Sequence, residues 1–251
     1  MSIDTFEQAD ARDWQEAFYD SGTDDWQAKW FCDGELATIE NTSEGMNFYA
    51  GTTGGYNEAH AVLWTRPEFQ GDLRIEYEYT RLDEFYRHVT ILYLHATGMG
   101  EGPYVEDIAE WAERRKVPAM RMYFDYMNLL HISYAAYGNQ DDRPDDYIRA
   151  RRYIPKGDAS NDSSNGATGL ANTDLEPDYF NTGLWQPDVP HRITVIKRPE
   201  DLFMRIIHPE KQYDCHWRTN SAPPVTHGRI GLRHMNNRHA RYRDFRISVA
   251  G

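Results

Sequence analysis

The 251-residue chain is poor in cysteine, poor in lysine and without a long apolar run. Cys32 and Cys215 are its two cysteines, far apart and in no C-x-x-C spacing, which excludes a thiolate metal site and fits a reducing compartment. A single disulfide between them is the remaining alternative. Nowhere do about 18 uncharged apolar residues follow one another, and the opening MSIDTFEQADARDW has no basic region followed by an apolar one. The expectation is a soluble, cytoplasmic protein with no membrane partner, so the sequons at Asn41 and Asn161 carry little weight. G-x-S-x-G, the P-loop, G-x-G-x-x-G and H-E-x-x-H are all missing, as is any repeated βαβ unit. Serine-nucleophile chemistry, nucleotide binding and zincin-type hydrolysis thereby lose their usual warrants. Five lysines against 22 arginines make the basic set lopsided, and 40 acids against 27 bases leave a net charge of −13. Such a surface repels polyanions, so nucleic acid is not an expected partner. Arginine is the better fork for a flat carboxylate, which directs attention to local arginine clusters.

What the chain does have is period-two alternation. In Asp72–Thr80, Leu73, Ile75, Tyr77 and Tyr79 alternate with Arg74, Glu76 and Glu78, the pattern of a half-buried strand. Similar runs at 88–96, 129–136, 192–197, 202–208, 229–233 and 242–249 predict an all-β protein, a single antiparallel β-sandwich or jelly roll over residues 1–251. Two segments break the pattern. Val105–Arg115 has Ile108, Trp111 and Ala112 at helical spacing with acids before arginines, and predicts a short inserted helix ended by Pro118. Lys156–Asp174 is polar and aperiodic and predicts a long loop reaching toward residue 190, either disordered or an active-site lid.

Strand parity supplies the candidate residues. With Leu130, Ile132 and Tyr134 inward, His131, Ser133 and Tyr137 share the opposite face. If Val89, Ile91 and Tyr93 face the core, His88 and Thr90 point away from it. In the arginine-rich 228–249 segment, Ile230, Leu232, Phe245, Ile247 and Val249 read as core, leaving Arg233, with His234 beside it, as a rim that could hold a carboxylate or sulfate. Arg151, sharing a face with Arg149, and Arg205 belong to the same class. Trp64, next to Arg66, and Trp185 offer flat aromatic faces against which a sugar ring can stack, with burial in the core as the competing reading. Glu76 and Glu78, about 7 Å apart on one strand face, are the nearest approach to a glycosidase carboxylate pair; outward-facing strand positions are the plainer reading.

Segments WFCDGELATIENTSEGMNFYAG, HAVLWTRPEFQGDLRIEYEYT, LHISYAAYG, DYIRARRYIP, ITVIKRPEDLFMRI and GRIGLRHMNNRHARYRDFRIS together resemble the YesU-like family of domains of unknown function, within the concanavalin A-like lectin/glucanase sandwiches. The W-x-x-DG opening and the GxIGLR and DFRI close also resemble sugar-active sandwiches such as the 3-keto-disaccharide hydrolases. The resemblance implies that fold and a link to acidic plant or algal polysaccharides. The glucanase acid triplet is missing, and fold likeness does not fix activity. The chemistry expected from the residues is β-elimination on a uronic-acid-containing oligosaccharide. His131 would take the proton, with His88 as substitute base, Tyr137 would protonate the leaving oxygen, and Arg151, Arg205 or Arg233 would neutralise the carboxylate. Hydrolysis and noncatalytic, lectin-like sugar binding are the alternatives. No cofactor is expected; a structural Ca²⁺ near Asp244 is conceivable, but no acid-rich loop has convincing ligand spacing.

Overall fold

The computed structural model describes residues 5–51, 56–85, 89–137, 145–157 and 173–251. Among these, two eight-stranded sheets pack face to face, and every strand pairing within them is antiparallel. The first sheet runs β14 (Lys211–Arg218), β13 (Asp201–His208), β12 (Pro190–Lys197), β7 (Leu73–Arg81), β16 (His239–Ala250), β4 (Gly45–Tyr49), β3 (Thr38–Thr42). β1 (Trp14–Asp20) pairs with the later half of β16. The second sheet runs β11 (Asp174–Phe180), β10 (Tyr147–Tyr153), β9 (Met127–Ala135), β8 (Thr90–Gly98), β15 (His227–Met235), β5 (His60–Thr65), β2 (Trp30–Asp33). β6 (Phe69–Gln70) pairs with the start of β15.

The alternation that defines β7 sends Leu73, Ile75, Tyr77 and Tyr79 into the space between the sheets, where Ile193, Val195, Met204, Phe245 and Ile247 join them. Leu63, Leu92, Leu94, Leu130, Ile132, Ile148 and Leu232 fill the same core from the second sheet. Parity is as expected in β9, β15 and β16. In β8 it is the reverse of the expectation: Thr90 meets the Tyr79 hydroxyl at 3.3 Å across the core, while Ile91 and Tyr93 point outward. β8 is buried on both faces, so its hydrophobicity carries no period to read.

That second burial comes from the insertion between β8 and β9. Its expected helix is a 3₁₀ segment, Ile108–Arg115, capped by the Asp107 side chain and broken at Trp111. An unanticipated helix follows, α2 (Met120–Tyr126), α1 being Phe6–Asp10. Ile108, Trp111 and Tyr123 of this cap pack on Val62, Trp64, Ile91 and Tyr93 of the second sheet. The loop expected near 156–190 is corrected in its later part: β11 forms there as an edge strand, a place that tolerates Pro177 because one side needs no ladder donor. Residues 158–172 of that segment lie outside the described ones. Cys32 and Cys215 are free thiols on different sheets, so the disulfide alternative does not hold. Among the described residues no helix is long and apolar enough to cross a membrane.

Candidate functional site

The outward face of the second sheet gathers several of the residues singled out by parity. Cross-strand register puts Arg151, His131, Tyr93, Gly231, Trp64 and Phe31 in one lateral row, from β10 to β2. The neighbouring row is Arg149, Ser133, Ile91, Arg233, Val62 and Asp33. Gly231 lets the Trp64 indole lie across the strand, since a Cβ there would fall inside the ring's van der Waals envelope. Trp64 stacks on Tyr93 (centroids 5.4 Å apart) and Tyr93 on Tyr123 of α2 (5.7 Å). One carboxylate fastens this pile: Asp33 Oδ2 accepts from Trp64 Nε1 (2.7 Å), Arg115 Nε (2.6 Å) and Tyr123 Oη (2.9 Å). Side chains of Asp33 and Arg115 are fully buried, so this ion pair joins cap to sheet in a low-dielectric interior.

His131 sits under the edge of this cap, 2% exposed, its ring 4.9 Å from that of Tyr153 and 6.0 Å from that of Tyr93. Burial, reinforced by Arg151, Arg149 and Arg233, holds its imidazole neutral with a pKa well below the usual 6.5. His131, Arg151, Arg233 and Trp64 therefore do share one face. Trp64 is not an exposed platform: it is completely buried, with its N–H committed to Asp33. Trp185 is buried too, stacked on Tyr134 at 4.5 Å.

The remaining candidates are dispersed. His234 points the opposite way from Arg233, as consecutive strand residues must, stacking on Phe48 and bonding to the Tyr242 hydroxyl at 2.7 Å inside the sandwich. The two cannot grip one carboxylate. Arg205 belongs to the first sheet, held by Asp214 (2.6 Å) and Glu7 (2.6 Å). Arg66 lies exposed in the turn after β5, its Nε donating to the Gln27 carbonyl. Tyr137 lies two residues beyond the end of β9 at Ala135, which is itself about 13 Å along the strand from His131, and it lies within electrostatic reach of Arg81 instead. His88 lies outside the described residues. Glu76 and Glu78 face outward on β7, a central strand of the first sheet. Asp244 accepts from the Tyr19 hydroxyl (2.7 Å), and among the described residues no three His, Cys, Asp or Glu side chains cluster as metal ligands.

Parity did not reveal a groove of about 590 Å³ at one end of the sandwich, lined by Tyr49, Leu82, Asp83, Glu84, Phe85, Asn237 and His239. Its walls are the segment after β7 and the turn between β15 and β16. Asp83, 6% exposed, pins both: Oδ1 accepts from Phe85 N (3.1 Å) and Oδ2 from His239 N (2.9 Å). Buried Arg81 and Arg238 back the carboxylate, Arg238 Nε at 3.4 Å. On this fixed base Phe85 is 51% exposed, and the Asn237 Oδ1 is a buried acceptor with no hydrogen-bond partner among the described residues. The sequence signal was slight: an aromatic after two acids in LDEF, and the NN pair of a strand–turn–strand.

Comparison with protein-family models and with curated protein sequences returns no match. Among solved structures, a Bacillus subtilis protein of unknown function with a galectin-like fold is similar at 17% identity, covering 95% of this chain and 100% of that one, TM-score 0.65. A seed lectin of Lotus tetragonolobus is similar at 6% identity, covering 93% and 98%, TM-score 0.56. Lectin UEA-II, solved in complex with galactose, is similar at 6% identity, covering 94% and 100%, TM-score 0.54. The chain is built on the galectin-like and legume-lectin-like, concanavalin A-like β-sandwich.

Proposed function

We propose that the protein binds carbohydrate without transforming it, and that the groove between Phe85 and Asn237 is where it does so. The observation that carries this reading is an exposed ring on a backbone pinned by Asp83, next to the exposed Glu84 carboxylate, in a groove that Asn237 also lines. A ring face takes the apolar C–H side of a pyranose, and the exposed Glu84 carboxylate beside it accepts from its hydroxyls, with the Asn237 amide joining once its side chain turns outward. The base is organised before the ligand arrives, so little ordering entropy is lost on binding. A lectin of the same fold is solved with galactose, which supports the class of ligand. Elimination is the less supported chemistry: His131 and Tyr137, its expected base and acid, do not converge on one reacting centre, and His131 is closed off beneath the cap.

A screen of immobilised neutral and uronate-bearing glycans, with products assayed in parallel, tests the reading. Retention without new reducing ends or near-ultraviolet absorbance is expected, and Phe85→Ala should weaken binding about tenfold, roughly 1.4 kcal/mol, with unchanged thermal stability. Binding that ignores both Phe85→Ala and Asn237→Ala, or clear turnover, would overturn it.

A further inference from the structure

Among the described residues, arginines rising from the outward face of the second sheet are matched to aspartates, with one exception. Arg149 pairs with Asp178, Arg151 with Asp174 (2.6 Å) and Arg229 with Asp107 (2.8 Å). In the cap, Arg115 has Asp33. Arg233 is fully buried and forms no ion pair among the described residues. Its Nη2 donates to the Pro118 carbonyl (2.7 Å) and meets His60 Nδ1 (2.9 Å), and its Cζ lies 4.4 Å from the centre of the Tyr123 ring. Among the described residues its Nε and Nη1 have no acceptor of hydrogen-bonding geometry, and the Tyr93 hydroxyl is the group beside the guanidinium. Within electrostatic reach of Arg233, both ring nitrogens of His131 are likewise buried without a partner of hydrogen-bonding geometry among the described residues, and the Tyr153 hydroxyl lies beside Arg151. An uncompensated guanidinium in the interior is costly, and an apolar side chain of similar volume would pack there without that cost. Its retention calls for something that Arg233 does.

We propose that Arg233 anchors an oxyanion site beneath the α2 cap, for the carboxylate or sulfate of an acidic sugar or another small oxyanion, with His131 and Tyr153 as further hydrogen-bonding groups. The free edge of the guanidinium, Nε with Nη1, is the edge that grips an oxyanion bidentately. These atoms have no accessible surface in the closed arrangement, so the anion enters when the cap shifts away from the sheet. The site is separate from the groove at Phe85 and stands without it.

Thermal unfolding of the full chain tests this at constant ionic strength, in chloride with millimolar sulfate, glucuronate or glucose. A saturable rise in Tm of roughly 3 °C at tenfold excess over Kd is expected with an oxyanion and none with glucose. A response to sulfate alone assigns a sulfate ester, and one to glucuronate alone assigns a carboxylate. Arg233→Met should unfold at the same or a higher temperature than the native chain without anion and lose the response. His131→Leu, which leaves Arg233 in place, should fold and respond more weakly. No oxyanion response in the native chain, a full response in Arg233→Met, or a marked loss of anion-free stability in that variant would overturn the proposal, the last by showing that Arg233 is structural.

Discussion

The two sheets turn very different outward faces to their surroundings, although their strands are written in similar alternating code. On the first sheet, Arg74, Glu76, Glu78, Arg192 and Arg246 line an open groove of about 730 Å³ and neutralise one another in part-exposed pairs such as Arg74–Glu76 and Arg246–Glu16. On the second, Arg233, His131, Trp64 and Asp33 occupy the corresponding outward positions and are buried under the cap. Outward and exposed are therefore separate properties. Exposed ion pairs contribute about 0–1 kcal/mol each, whereas breaking a buried pair costs about 3–5 kcal/mol, so the covered face carries most of the electrostatic leverage on stability.

Acid gives the largest expected effect. Burial lowers the imidazoles of His131 and His234 well below the ordinary 6.5, that of His191 to about 4 and that of His95 to about 3. Below pH 6.5 the unfolded chain takes up protons that the folded chain refuses, so stability is full above that value and falls as pH drops toward each folded pKa. Each such histidine contributes a slope of about 1.4 kcal/mol per pH unit, and several together should bring unfolding well before the carboxylates titrate. Denaturant melts at pH 7 and pH 5 measure the slope. His131→Leu should make it shallower by one histidine's share; an unchanged slope would mean that the cap does not close this face in solution.

Next comes a matched pair of charge removals. Asp33→Asn leaves buried Arg115 without its counter-ion and should cost about 3–5 kcal/mol in equilibrium unfolding, while Glu76→Gln on the open face should stay within about 0.5 kcal/mol. Equal costs would erase the contrast between the faces. A smaller loss than that of Asp33→Asn is expected at Gly231, where alanine forces the Trp64 ring off the strand. Overpacking of this kind costs about 1–3 kcal/mol and should change the near-ultraviolet circular dichroism of the Trp64–Tyr93–Tyr123 stack. An unaltered spectrum would show that the stack has slack.

Strands with one buried face were readable in the residues because their polarity alternates; β7 and β9 are the clearest cases. The helical insertion was readable at Val105–Arg115 through its acid-to-arginine gradient, although not as two segments. Strands β5 and β8, apolar on both sides, hid their parity, and the polar edge strand β11 read as loop. At the capped face, parity placed His131, Arg151 and Arg233 together, but nothing about Asp33, the acid of the W-x-x-DG opening, showed that it holds the cap down. His234 went astray for an elementary reason, since a neighbour in sequence is on the other side of the sheet.

By itself the sequence determined the all-β class, the sandwich, and which side chains in β9, β15 and β16 share a face, because a two-residue period and the need to bury apolar surface leave few arrangements. Tertiary structure alone decided what each outward face meets. The insertion folds back over Trp64 and His131 and turns a would-be binding surface into interior, while the Asp83 and Asn237 turns, distant in the chain, meet at the sandwich end to form the open groove. Such meetings depend on long-range packing between segments, and no local period in the sequence records them.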